Sequence, residues 1–124
     1  MFIDVLGVML GGAFGSLLRY LLGLLVYGER FAHFPYATLI VNLTGCFLIG
    51  IFSGFFLKHP EMPMYIKLFA ITGCLGGLTT FSTFTLETFN LMYRNPLLGL
   101  LNLSCSIIGG LCLVALGISC IKSF

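Results

Sequence analysis

An all-α membrane protein of four spanning helices, the third broken near its middle, is the fold class this sequence predicts. Three observations carry that expectation. The 124 residues are 59% hydrophobic and only 8% charged, with a mean hydropathy of +1.12, too apolar for a water-soluble domain. The apolar residues fall into stretches of about residues 2–27, 36–57, 65–93 and 97–121, each long enough for the roughly 20 residues a bilayer core demands. Finally, Gly76-Gly77-Leu78-Thr79-Thr80-Phe81-Ser82-Thr83-Phe84 interrupts the third stretch with adjacent glycines followed by hydroxyl and aromatic side chains. Each glycine weakens a helix interior by about 1 kcal/mol relative to alanine. Irregular backbone at membrane depth is tolerated only where it is buried in protein or lines a cavity, so this stretch reads as an ion or substrate site.

The first span carries Gly7, Gly11, Gly15, Arg19 and Gly23 at four-residue spacing, roughly along one helical face. The glycines favour close packing against a neighbouring helix. Arg19 is a charge inside a span, and such a group usually faces protein or water. It could snorkel to an interface, raise the positive potential along an anion path, or hold a structural contact at a subunit interface. The structural role weighs slightly more. The second span places Thr38 and Asn42 on one face, with Gly45 nearby. Asn42 is either an interhelical hydrogen bond or a pore-lining donor. In the third span Phe81 and Phe84 share a face, interleaved with Thr80, Ser82, Thr83 and Thr85. Their ring edges could meet an anion and their faces a cation; ordinary apolar packing is the plainer alternative. The fourth span repeats the polar spacing with Asn102, Ser106 and Gly110. Polar stripes on several helices exceed what interhelical packing needs and favour a lined pathway. Prolines 35, 60, 63 and 96 fall at or near the connectors, where a missing N–H costs least.

Other classes are disfavoured. Six Lys and Arg against four Asp and Glu are dispersed and give +2, without the basic patch of a nucleic-acid binder. The amino terminus lacks a basic n-region and a small-residue cleavage site, so the first apolar stretch is expected to remain as a span. One integral domain, residues 1–124, is expected, with no soluble extension. The five cysteines lie in apolar stretches without a CxxC pair and read as small buried hydrophobes. No Ser/His/Asp set, metal cluster or phosphate loop points to catalysis, and His33 and His59 lie in connectors.

Charge gives little orientation. Lys58, Lys67 and Lys122 fall on the side of the termini, and Arg30 and Arg94 on the other. Orientation normally follows a Lys/Arg excess in cytoplasmic loops. A near-even split fits either a weak signal in a protein with short loops or a chain that inserts both ways up.

Three stretches, residues 11–20 (GGAFGSLLRY), 38–45 (TLIVNLTG) and 73–84 (GCLGGLTTFSTF), resemble the signatures of the CrcB/Fluc fluoride channels. The resemblance covers essentially the whole chain, and GGLTTFSTF is highly specific. It implies a passive fluoride-selective channel of a microbial cell membrane, which exports cytoplasmic fluoride and reduces its toxicity. It implies a dual-topology homodimer of antiparallel subunits, with fluoride pores at the interface and a central Na⁺. It matches Asn42, Phe81, Phe84, Thr83, Ser106 and Thr38 to the pore, and the main-chain carbonyls of Gly76 and Thr79 to sodium. Arg19 and Glu87 match a family arginine and an acidic residue near the pore end, in structural or electrostatic roles. The even charge split agrees with dual topology. Ala37 stands where many members have glycine, and Asn102 where some have a pore tyrosine. Some members pair with a paralogue; this chain keeps every major motif, so a homodimer is expected. The competing class is a small four-helix exporter of organic cations, which would want an embedded carboxylate. Asp4 and Glu87 are the candidates, and both lie toward span ends. A purely structural membrane subunit would leave the broken, hydroxyl-rich third span unexplained.

Overall fold

The computed structural model describes residues 1–26 and 33–122. Tyr27, at the end of the first expected span, and the connector residues Glu29 and Arg30 lie outside the described residues, as does the side chain of Lys122. The described elements are helical: α1 (Phe2–Leu25), α2 (Tyr36–Lys58), α3 (Met64–Lys67), a π-helical segment (Leu68–Leu75), α4 (Gly76–Leu78), α5 (Phe81–Arg94) and α6 (Pro96–Lys122). Stretches long and apolar enough to cross a membrane are Phe2–Leu25, Tyr36–Lys58, Met64–Arg94 and Pro96–Ile121. These apolar helices begin and end within a residue or two of the apolar stretches of the sequence wherever they are described.

Packing follows the small residues. α1 runs along the π segment and α4, while α2 runs along α6 and α5 leans on α6. Along the first seam a Cβ on Gly11 would lie 2.9 Å from Cys74 N and Gly73 Cα, and one on Gly73 would lie 2.8 Å from Gly11 Cα. Backbone meets backbone, which glycine alone allows at that distance. Gly15 makes the same approach to Leu78 N, whereas Gly23 has open space around it. Among the described residues, the expected glycine stripe is therefore a packing face from Gly7 to Gly15. The second seam is built alike: a Cβ on Gly117 would lie 2.9 Å from Ile51 N. Between the seams sits a small core of Val41, Leu75 and Leu78, with Leu18, Leu48, Ile49 and Phe52 packed around it.

Connectors are capped locally. Asn95 Oδ1 accepts from Leu98 N at 3.3 Å, and Pro96 occupies the first helical position of α6, where its missing N–H is harmless. Between α2 and α3, Lys67 Nζ donates to Pro60 O at 3.3 Å. His59 Nδ1 lies 3.1 Å from Glu61 Oε1. A backbone hydrogen bond, aided by His59, holds the Glu61 carboxyl below its ordinary range.

The third span is interrupted, but not at its glycines. Gly76-Gly77-Leu78 is still helical. The chain turns extended at Thr79 (φ −80°, ψ 157°) and Thr80 (φ −148°, ψ 119°) before α5 begins. The glycines serve proximity instead: Gly77 packs against α1, where a Cβ would lie 3.1 Å from Gly12 Cα and from Ser16 N. Among the described residues no glycine has positive φ.

Candidate functional site

The interruption is held by Asn42. Its Oδ1 accepts from Thr80 N at 2.8 Å, and its Nδ2 donates to Thr80 O at 3.0 Å. A side-chain amide thus pairs with both backbone groups of the extended residue, as a neighbouring strand would. That pairing answers the rule that buried backbone polar groups must find partners. It also has an effect upstream. In a continuous helix the Thr80 N–H would bond to the carbonyl four residues earlier, at Gly76. Asn42 takes that N–H and leaves the Gly76 carbonyl without its helical donor.

Thr80 then starts the next helix. Its Oγ1 accepts from Thr83 N at 3.3 Å, a side-chain N-cap of the kind hydroxyl residues supply. The same Oγ1 donates to Thr83 Oγ1 at 3.0 Å. The positive end of the α5 dipole faces the interruption, an arrangement that favours negative charge nearby. Arg19, half-buried on α1, reaches the same place: its Nη1 lies 3.5 Å from Thr79 O. Arg19 thus makes a contact within the subunit, to the interruption itself. Thr79 turns its own hydroxyl back to Leu75 O at 2.9 Å.

An open groove of about 320 Å³ lies along this point. Asn42, Phe81, Phe84 and Ser106 line it, together with Gly76, Thr79 and Thr80. Six of the residues singled out in the sequence are therefore brought together: Asn42, Phe81, Phe84, Ser106, Gly76 and Thr79. Four are not on its wall. Thr83 is exposed and bonded to Thr80. Arg19 touches Thr79 from behind. Thr38 and Glu87 lie off the groove wall, and among the described residues Glu87 Oε2 is buried without a partner.

The groove is mostly apolar, with few polar atoms. The Phe81 and Phe84 rings are 5.8 Å apart and inclined at 51°. Phe84 is 4% exposed and Phe81 72%, so one ring is set into the subunit while the other projects from it. Ser106 Oγ is buried and, among the described residues, has no hydrogen-bond partner. Asn42 has a second Nδ2 hydrogen beyond the one given to Thr80. Such a surface offers aromatic rings, a hydroxyl and an amide N–H, none of them carrying a full charge. It suits an anion that must be stripped of water and then released.

Two features escaped the sequence reading. Thr80, in the sequence one hydroxyl among several, is the node that Asn42 holds. Thr88, on the buried face of α5, accepts from Asn102 Nδ2 at 2.8 Å. The signal for Thr80 was present: a backbone break needs a nearby amide or hydroxyl to receive its N–H and C=O. The signal for Thr88 was its place four residues after Phe84.

Residues 6–118 match the family model described as CrcB-like protein, Camphor Resistance (CrcB). Curated relatives are similar along the length of the chain. One from Bordetella petrii is 42% identical over 94% of this chain and 90% of its own. One from Pseudomonas fluorescens is 42% identical over 98% of this chain and 99% of its own. A third, from Flavobacterium psychrophilum, is 44% identical over 84% and 85%. Each is named a fluoride-specific ion channel. With four span-length apolar helices and a family match over nearly its whole length, this chain is a multi-pass membrane protein and belongs to the CrcB-like family.

Proposed function

We propose that the protein is a passive, fluoride-selective channel that lets cytoplasmic fluoride leave the cell. The observation that carries the reading is the groove at the interruption, where Phe81, Phe84, Ser106 and Asn42 present uncharged donors beside the α5 amino terminus. The names of its relatives point the same way. Hydrogen fluoride crosses membranes as the neutral acid and dissociates inside. A passive anion pore lets a negative interior potential expel the ion. Fluoride holds its hydration shell tightly, so the wall must compensate at many points while none binds too strongly to release.

The groove is open on one side, and Phe81 stands out of the subunit at 72% exposure. An antiparallel second copy would cover both, closing pores at the interface of a two-fold dimer. The near-even Lys and Arg distribution supports insertion in both orientations. Sodium fits at the centre of that dimer. Asn42 frees the Gly76 carbonyl, and a Cβ on Gly76 would meet nothing nearer than Ile71 O at 3.9 Å. The Thr79 carbonyl is engaged only at 3.5 Å by Arg19. Gly76 and Thr79 carbonyls from each copy would hold it. When bound, sodium supplies a fixed positive charge between the pores and ties the two copies together.

The deciding experiment is fluoride efflux from liposomes containing the purified protein, run beside chloride efflux. Rapid fluoride loss with little chloride loss is expected; equal rates for both ions would refute the reading. Dual topology is tested in a cysteine-free background carrying Glu61→Cys. Labelling from both faces of a sealed membrane is expected, and labelling from one face alone would rule out antiparallel pairing of identical chains. Replacing sodium by a large organic cation is expected to lower the melting midpoint of the detergent-solubilised dimer, and an unchanged midpoint would argue against the sodium site.

A further inference from the structure

Phe84 and Ser106 line the groove from different helices, α5 and α6. One turn from each, on the same helical faces, stand Thr88 and Asn102. Asn102 Nδ2 donates to Thr88 Oγ1 at 2.8 Å. Asn102 is 1% exposed, the least of the described large side chains, while Thr88 is 6% and Phe84 4% exposed.

We propose that the Thr88–Asn102 pair is a selectivity clamp, which fixes the gap between the Phe84 ring and the Ser106 hydroxyl at a width suited to a small dehydrated halide. The clamp rests on the reading that fluoride passes along this groove. α5 starts at an interruption, so the helix before it cannot hold it in register. It is fastened at Thr80, by Asn42 on α2, and at Thr88, by Asn102 on α6. The pore rings lie between those points. Apolar contacts permit small slides, whereas a hydrogen bond weakens steeply outside its narrow range of distance and angle. Shielded from water, this bond is stronger than an exposed one.

The polar choice is costly, which strengthens the case for a geometric role. Asn102 Oδ1 is buried with no donor among the described residues, and an orphaned acceptor destabilises where an apolar pair would not. Turning the amide over would let the Thr88 hydroxyl donate to Oδ1, so the tie survives in either orientation. Thr88 and Asn102 do not line the groove themselves; they are positioning residues.

The test uses full-length protein in liposomes, with fluoride and chloride efflux measured side by side. Wild-type selectivity tests the channel reading on its own; the change between variant and wild type tests the clamp. In Thr88→Val/Asn102→Leu both partners become apolar with similar bulk. The fluoride-to-chloride rate ratio is expected to fall roughly tenfold or more, the scale at which size discrimination in apolar sites operates. Thr88→Ser keeps the hydroxyl and is expected to keep the ratio. A folded double variant with wild-type selectivity overturns the clamp, as does one that conducts both ions more slowly in unchanged proportion. If the double variant fails to assemble, Thr88→Val alone is expected to lower the ratio, and an unchanged ratio there is equally decisive against the clamp.

Discussion

The two halves of the third span are held by opposite means. Met64–Leu78 lies against α1 through glycine, with backbone atoms at contact distance along Gly7, Gly11 and Gly15. Phe81–Arg94 is tied through side-chain amides, to Asn42 at its start and to Asn102 two turns later. The first half admits no added volume along that seam, and the second admits no lost polarity. The same chain segment therefore fails in two distinguishable ways, one seen in assembly and the other in ion flow.

Gly15→Leu breaks the first half. A Cβ there would already lie 2.8 Å from Leu78 N, and forcing extra carbons into packed backbone costs about 1–3 kcal/mol or more. Little assembled protein is expected on size exclusion, whereas Gly12→Ala, whose Cβ meets nothing within 4 Å, is expected to assemble normally. Asn42→Leu breaks the second half at its root. It strands the Thr80 N–H and C=O at roughly 1–3 kcal/mol each, so fluoride efflux is expected to disappear while some folded protein remains. Asn42→Asp keeps the size but puts a carboxylate at the groove, and fluoride efflux should fall as far.

Phe81→Ile and Phe84→Ile are the next step down. Bulk is roughly kept and the ring-edge charge is lost, so a folded protein with strongly reduced fluoride efflux is expected. Phe52→Ile perturbs the packing around Val41, Leu75 and Leu78; it is expected to lower stability while leaving selectivity intact. The smallest effect is assigned to Thr85→Val. The Thr85 hydroxyl donates to the carbonyls of Phe81 and Ser82 at 2.7 and 3.0 Å on an exposed surface, and efflux should be unchanged.

Spans and seams were legible in the sequence because hydrophobic length and glycine spacing are local signals. So was the groove, because Asn42, Phe81, Phe84 and Ser106 depart from their apolar surroundings. The point of interruption was not. Gly76 and Gly77 have low helix propensity, yet packing against Gly12 and Ser16 on α1 keeps them helical. The chain breaks where Asn42 offers something to pair with, a tertiary partner that propensity cannot see. Thr88 went unnoticed for the same reason, since its importance lies in a residue fourteen positions away.

Thr80 also carries a consequence for biogenesis. Its two backbone groups would be stranded in hydrocarbon if the third segment stood alone, at several kcal/mol for each group. Entering the bilayer by itself, that segment does better as one uninterrupted rod. The kink is then acquired late, once the second helix lies alongside and Asn42 can reach across. A peptide of residues 64–94 in micelles is accordingly expected to show helical amide shifts straight through Thr79 and Thr80, and an extended signature there would contradict this order of events. The ion path would thus be absent during insertion and open only on completion, sparing the cell a leak from half-built copies.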